Sequence, residues 1–250
     1  MRKYIYLVLA TLLITISIST INKPVYSKQS DNKLIHDAFL TALSPHISKE
    51  IINYYGYQKQ FALFDGEISS IERETEGGFS FKVKVQVYTF EAAHNAPYGK
   101  ETIIFKVDAA GINEISFEHI GDDDEKKMKE FYEATLKDII KTFNLNLKSY
   151  KSYTSRQLEY MAESSNEYKS LVKIVGNIFS EVLESEVKIP LKNIIKPVTY
   201  IKNEDGYILF KREDGTNVAV KIHRSNGVWR VVDTKSSKGK RMKYELIYYM

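Results

Sequence analysis

The sequence predicts an α+β fold built from two units, each a helix followed by an antiparallel sheet, and two patterns carry that prediction. From Gly77 to Val107 the chain has the pattern of two long antiparallel strands. A helical pattern precedes them, and the second half of the chain repeats the order of helix and then strands. Such a plan buries one face of each sheet against its helix. In the first long strand, apolar residues alternate with polar ones, which places five apolar side chains on one face: Phe79, Phe81, Val83, Val85 and Val87.

The first half is predicted to be a helical segment followed by a meander of four strands. Paired apolar residues recur every four positions from Lys33, which is typical of an amphipathic helix. Ser44 and Pro45 can end this helix and begin another. We therefore expect either two short helices or one sharply kinked helix that stops at Gly56. The expected strands lie within 61–73, with a bulge or turn near Asp65 and Gly66, at 79–88, at 101–107 and around 115–119.

The next helix is predicted to begin in the acidic run Asp122–Glu125 and to continue to Phe143. Acidic side chains favour the positive end of a helix dipole, so the run is interpreted as a helix start. A metal site made by the same carboxylates is the alternative interpretation.

Residues 144–152 have no periodic pattern and form the predicted boundary between two domains. We expect a first domain at 28–145 and a second at 146–250. Helix followed by antiparallel meander is the plan of cystatin-like and nuclear-transport-factor-2-like folds, among others. In the second half, a helix at 154–186 with an interruption near Ser164 is followed by strands at about 198–202, 207–212, 217–223, 228–233 and 244–249.

The first 27 residues have the pattern of an export signal. Arg2 and Lys3 give a positive start, and an uncharged, mostly apolar run follows from Tyr4 to Ile21. A small residue then precedes Lys28, where cleavage is expected. The alternative is an uncleaved anchor, since a membrane-spanning helix needs about 20 apolar residues. The protein is therefore expected to be secreted or associated with the cell surface, and to contact a membrane only if the signal is uncleaved.

Composition excludes several classes of function. The chain has no cysteine, which rules out disulfides, thiolate nucleophiles and cysteine zinc sites. Without the first 27 residues it carries 33 basic and 32 acidic residues, whereas proteins that bind nucleic acid concentrate basic charge. Nucleic acid is thus not the expected partner. The five histidines have no spacing typical of a metal site, and no phosphate-binding or dinucleotide motif is present. We expect no metal and no cofactor.

Two segments of the first half have distinctive sequences: KLIHDAFLTALSPHISKEIINYYG at 33–56 and GGFSFKVKVQVYTFEAAHNAPYGKETIIF at 77–105. They resemble a family of exported bacterial proteins catalogued as domain of unknown function 3888, over residues 33 to about 119. The resemblance implies an exported protein of a low-GC Gram-positive bacterium. Because the family has no assigned activity, the resemblance transfers no functional residue, and it does not place the second half.

The first candidate for binding is a polar cluster on the predicted loop from Glu91 to Gly99. His94, Asn95 and Tyr98 bring an imidazole, an amide and a phenol to a loop that is longer than a tight hairpin needs. These groups can recognise a ligand or exchange protons. Alternatively, the loop residues only shape the turn while Tyr98 packs back onto the sheet.

The second candidate for binding is the basic run 235–243, which includes Lys238, Lys240 and Arg241. Such a run can contact an anionic wall polymer, lipid headgroups or nucleic acid, and it can equally be a solvated loop between strands. The 18 tyrosines could stack on carbohydrate or pack within the sheets.

The function that these patterns favour is a non-enzymatic, extracytoplasmic binding or interaction module. Its partner is not identified by the sequence and could be a cell-wall polymer or another exported protein. The alternative is a small pocket enzyme, a hydrolase or an isomerase, that uses His94 or His119 with a nearby carboxylate. No other catalytic residue is indicated.

Overall fold

The computed structural model describes residues 31–91, 94–184, 195–212 and 214–240. The predicted leader at 1–27 and the predicted strand at 244–249 lie outside these ranges. Residues from Leu40 onward form one compact unit, separate from the residues before it, and the contacts given below lie within that unit. Helices and two antiparallel sheets confirm the α+β class. None of the helices in the described ranges is long and apolar enough to cross a membrane.

A single helix, α1 (Asp31–Tyr55), runs through Pro45, so of the two expected forms the structure has one helix and not two short ones. Its buried apolar residues, Leu40, Leu43, Ile47 and Ile51, recur at helical spacing on both sides of the proline. A proline inside a helix costs about 3 kcal/mol. The buried apolar face continues across Pro45 and offsets that cost, because its packing keeps the two parts of the helix pointing in the same direction.

The first sheet, sheet A, is a meander whose first strand is split in two. Both β1 and β2 pair with β3 along the same edge, which then pairs with β4, and β4 with β5. The split is a turn in which Gly66 N–H donates to Leu63 C=O, close to the predicted turn at Asp65 and Gly66. The strands are β1 (Gln60–Phe61), β2 (Glu67–Arg73), β3 (Phe81–Glu91), β4 (Asn95–Asp108) and β5 (Gly111–Gly121).

The predicted long loop between β3 and β4 is mostly strand. β3 continues to Glu91 and β4 begins at Asn95, and these two residues are paired across the hairpin. Gly99, predicted to lie at the end of the loop, pairs with Thr89 on one side and Gly121 on the other. The predicted extent of the loop is therefore wrong. Pairing between the two strands outweighs the turn-forming composition of this segment.

One apolar residue predicted on the inner face of the first long strand lies elsewhere, and one residue of β5 departs from the alternation. Phe79 precedes β3 and is 80% exposed, whereas Val83, Val85 and Val87 are fully buried as expected. Ile115 is half exposed because a bulge opposite Ile104 and Phe105 breaks the alternation of β5.

The second sheet, sheet B, has the order β10-β9-β8-β7-β6. The helical interruption near Ser164 is confirmed by a 3-10 turn (Asn166–Tyr168) between two helices, α3 (Ser155–Ser164) and α4 (Lys169–Glu184). Sequence patterns missed β6, which is only four residues long and pairs with β7 at the edge. The strands are β6 (Lys151–Thr154), β7 (Ile195–Lys202), β8 (Asp205–Lys211), β9 (Thr216–Ser225) and β10 (Val228–Lys238).

Helix α2 (Asp123–Thr142) contacts both sheets. Its N-cap is Asp122, whose side chain accepts from the Glu125 N–H, as the acidic run predicted. The helix contacts β4 and β5 of sheet A and β8 and β9 of sheet B. On sheet B, Ile139 is fully buried against Leu209 and Ala219. The opposite face of that sheet packs on α3 and α4. The division into domains at 145 stays a prediction.

We predict that Ile139→Ala will lower the free energy of unfolding by about 2–5 kcal/mol, since it removes a fully buried side chain between α2 and sheet B. Urea unfolding followed by circular dichroism measures the change. Lys137→Ala, on the exposed side of the same helix, is the control and should change stability by less than about 0.5 kcal/mol. Equal losses in the two variants would contradict the packing described.

Candidate functional site

Strand alternation places an acid and a histidine among the apolar side chains on the inner face of sheet A. On β4, Glu101 continues the inward series of Phe105 and Ile103. On β5, His119 follows Phe117, and the ladder pairs Glu101 with His119 directly. Glu101 is fully buried, and the His119 side chain is 11% exposed. Burial of a charged group requires partners, and the neighbouring elements supply them.

Glu101 accepts hydrogen bonds from three different elements. Oε1 accepts from the Tyr55 hydroxyl of α1 at 2.7 Å and from the Thr89 hydroxyl of β3 at 2.8 Å. Oε2 lies 3.0 Å from Nδ1 of His119. The other ring nitrogen of His119, Nε2, lies 3.0 Å from Oε1 of Glu125 in the first turn of α2. We call Glu101, His119 and Glu125 the Glu–His–Glu bridge.

Two glycines make room for these polar groups. Gly99 and Gly121 are paired across β4 and β5. A Cβ on Gly99 would lie 2.6 Å from the Glu101 carboxylate, and a Cβ on Gly121 would lie 2.5 Å from the Glu125 carboxylate. Both distances are shorter than any real contact, so only glycine lets the carboxylates approach the strands this closely.

The bridge needs one proton more than a neutral imidazole supplies. Neutral imidazole has one N–H donor, whereas both nitrogens of His119 face carboxylate oxygens. Because Glu101 also accepts from two hydroxyls, it is best satisfied as a carboxylate. The geometry therefore indicates an imidazolium that donates to both acids, which gives charge-assisted hydrogen bonds.

Two tyrosines of α1 cover the bridge and stay neutral. The ring of Tyr54 stacks on Phe117 and lies 4.9 Å from the ring of His119. Burial, together with the negative charges of Glu101 and Glu125, raises the pKa of Tyr55 far above its usual 10 and raises the pKa of Tyr54 as well.

The arrangement favours holding a proton over transferring one to a substrate. Both ring nitrogens of His119 are engaged, so neither is available as a base without rearrangement. The carboxylates lie at opposite nitrogens of the ring. Within the described ranges, no group of three histidine, aspartate or glutamate side chains could hold a metal ion.

The residues of the first cluster that the sequence predicts for binding lie together at the end of the β3–β4 hairpin. The His94 ring stacks on Phe90, with centroids 3.9 Å apart, and lies 5.6 Å from the ring of Phe64. The Tyr98 hydroxyl donates to the His94 carbonyl oxygen. Phe64 is 77% exposed, Tyr98 is 40% exposed, and His94 and Asn95 are also exposed. We call Phe64, His94, Asn95 and Tyr98 the tip patch.

The basic candidates lie on the other sheet. β10 continues to Lys238, so half of the predicted basic loop is strand, and Lys238 pairs with Thr216. Lys238 and Lys240 are exposed. Arg241 lies outside the described residues. The two described lysines therefore belong to sheet B, whereas the tip patch belongs to sheet A.

Sequence patterns pointed to His119 but not to its partners. Tyr55 lies in the segment predicted as a helix that stops at Gly56, and Glu125 lies in the predicted helix start. Two signals could have identified the bridge. Glu101 occupies an inward position in the alternation of β4, and Gly99 and Gly121 interrupt strands where close approach is the usual reason for glycine.

The fold and the bridge define an α+β protein whose first sheet is closed by a helix over a buried glutamate–histidine pair. Residues 35–121 match the model of a family described as protein of unknown function (DUF3888), which confirms the predicted resemblance. The matched residues take in all five strands of sheet A and most of α1. No curated protein and no solved structure matches the chain. The cystatin-like or nuclear-transport-factor-2-like plan stays a prediction.

We predict that Tyr55→Phe will destabilise the protein by about 1–3 kcal/mol, since it removes a hydroxyl donor from the buried Glu101. A group whose folded pKa is raised contributes stability below its unfolded pKa, and that stability is lost as pH rises. The difference in the free energy of unfolding between wild type and Tyr55→Phe should therefore become smaller above about pH 10.

Urea unfolding at several pH values measures this difference. Tyr88→Phe is the matched control, because Tyr88 lies on the outer face of sheet A and is 42% exposed. If the Tyr55→Phe and Tyr88→Phe variants are equally stable at neutral pH, the hydroxyl does not support Glu101.

Proposed function

We propose that this protein is an exported, non-enzymatic interaction module that binds a cell-wall polymer through the tip patch. Export is supported by the signal-like pattern of the first 27 residues. Binding is supported by a contiguous group of exposed rings at one end of sheet A. The family that matches residues 35–121 is itself described as being of unknown function.

The observation that carries the proposal is the exposure of two large rings, those of Phe64 and Tyr98, that both contact His94. Single exposed apolar residues are normal on a protein surface, whereas contiguous ones mark interaction sites. Phe64 and Tyr98 both contact His94, through ring packing and through the hydroxyl bond. His94 has a positive φ of 60°, which is a turn conformation. The backbone therefore reverses at this residue and keeps the rings together.

The outer face of sheet A extends the tip patch and suggests the chemistry of the partner. Tyr88 and Ile120 flank Lys100 across three strands, and they are 42% and 56% exposed. Further lysines alternate outward on the same two central strands. A surface of exposed rings beside ammonium groups fits a polymer that combines sugar rings with negative charge. The outward lysines of β3 and β4 are Lys82, Lys84 and Lys100, together with Lys106, whose ammonium pairs with Glu74 and Asp108.

The enzyme alternative is supported by one observation, the contact of His119 with two carboxylates. The burial of Glu101 and the engagement of both ring nitrogens argue against a catalytic role for the pair. His94, the other predicted catalytic histidine, packs between aromatic rings. An interaction module is therefore the better-supported function.

We predict that the purified protein will sediment with purified Gram-positive cell walls and that Phe64→Ala will weaken this retention about tenfold. Phe79→Ala is the matched control, because Phe79 is equally exposed at 80% but belongs to the segment before β3. Retention should also fall as salt rises, since lysines contribute.

Equal retention of the Phe64→Ala and Phe79→Ala variants would contradict binding through the tip patch. Retention that does not change with salt would show that the lysines do not contribute to binding. N-terminal sequencing of protein recovered from the culture medium tests export, and a species that begins at Met1 would contradict cleavage before Lys28.

A further inference from the structure

Sheet B has a buried lysine on the face that packs on α2. Lys211 of β8 and Asn217 of β9 are directly paired in the sheet ladder. By strand alternation they lie on the same face as Leu209 and Ala219, which pack on α2. The Lys211 side chain is 5% exposed, and Asn217 is 1% exposed. Burial of an ammonium is costly unless its partners satisfy it.

The amine of Lys211 lies against the side-chain amide of Asn217. Its Nζ donates to Oδ1 of Asn217 at 2.7 Å. Since a C=O bond is about 1.2 Å long, Nζ lies within about 4 Å of Cγ, the amide carbon. A nucleophile reacts from about 3–3.5 Å, so a small movement of the lysine brings the two atoms into reacting distance.

The carboxylate of Asp138 in α2 reaches the nitrogens of both side chains. Its Oδ2 accepts from Nδ2 of Asn217 at 3.0 Å and lies 3.6 Å from Nζ of Lys211. The Thr142 hydroxyl also accepts from Nδ2, at 3.2 Å, and donates its own hydrogen to the Asp138 carbonyl oxygen. A nucleophile, an amide and a carboxylate that can carry protons between them therefore meet from β8, β9 and α2.

The backbone that follows β10 covers this cluster. Gly239 N–H donates to the Gly215 carbonyl oxygen at 3.1 Å. A Cβ on Gly239 would lie 2.7 Å from that oxygen and 2.8 Å from Nζ of Lys211. Glycine thus lets the backbone lie directly over the amine and limit the access of water to it.

We propose that Lys211 and Asn217 join in an isopeptide bond, with Asp138 as the proton carrier. The Lys211 ammonium gives one proton to the Asp138 carboxylate, and the free amine attacks Cγ of Asn217. The Nζ–Cγ bond forms and the Cγ–Nδ2 bond breaks. Asp138 returns its proton to Nδ2, and a second proton from Nζ reaches Nδ2 by the same route. The products are one neutral amide and one ammonium ion, and no oxidant or cofactor takes part.

The reaction replaces a buried charge with a neutral amide. The Asp138 side chain is half exposed, so it remains a hydrated carboxylate afterwards, and the released ammonium has a route to solvent beside it. Because the chain has no cysteine, the bond is a covalent tie between β8 and β9 that does not depend on redox conditions. It is independent of the function proposed for the tip patch on sheet A.

Mass spectrometry of the purified full chain tests the bond. We expect a mass below that of its sequence by one ammonia, and trypsin should release residues 203–212 and 213–221 as one linked peptide. Lys211→Met removes the amine and should restore the full mass. Lys221→Met, at an exposed position of β9, is the matched control and should keep the loss. Circular dichroism checks that each variant is folded.

Asp138→Asn tests the proton carrier. General acid–base catalysis contributes about 10²–10⁴-fold, so we expect the linked fraction to fall to a trace in this variant. A wild-type chain with the full mass of its sequence would overturn the proposal and leave an ordinary buried ion pair. A loss of ammonia that persists in Lys211→Met would also overturn it, because the ammonia would then come from another amide. A linked peptide that forms equally in Asp138→Asn would overturn the role of Asp138.

Discussion

The buried carboxylate of Glu101 is the constraint on which the first sheet and its helix depend. An ionised group without exposure to water costs several kcal/mol unless its oxygens are hydrogen-bonded. Tyr55 of α1, Thr89 of β3 and His119 of β5 provide those bonds. Apolar packing alone would let α1 slide along the sheet. The donors to Glu101 allow one position, because a misplaced Tyr55 leaves a buried charge without a partner.

The same residues tie the first sheet to the second half of the chain. The backbone carbonyl of Tyr55 accepts from Nε2 of Gln157 in α3 at 2.8 Å, while its hydroxyl donates to Glu101. On the other side of the bridge, Glu125 lies in α2, whose later turns place Ile139 on sheet B. A change at the bridge therefore acts on two helices that cover the second sheet. This arrangement explains why a polar cluster lies where apolar residues would pack more cheaply: it fixes relative positions, which apolar contacts do poorly.

Much of the fold could be predicted from local pattern, because strand alternation and turn chemistry are local properties. The buried series Val83, Val85 and Val87 followed from period two, and the turn near Asp65 and Gly66 followed from its composition. The sequence left open whether α1 continues through Pro45 or restarts there, since the outcome depends on packing against a sheet distant in sequence. The polar cluster could not be predicted for the same reason. Tyr55, Glu101 and Glu125 are far apart in the chain, and each alone has an ordinary local explanation.

The most direct test of the account is the protonation of the His119 ring, measured by nitrogen NMR of the histidine side chains at neutral pH. We expect both ring nitrogens to carry hydrogens, each donated to a carboxylate, and these hydrogens to exchange slowly with solvent because the ring is buried. The exposed His223 in the same spectrum provides the comparison. A His119 ring with a single protonated nitrogen would contradict the charge-assisted bridge, and a ring whose Nδ1 carries no hydrogen would contradict the claim that His119 supports the buried Glu101 carboxylate.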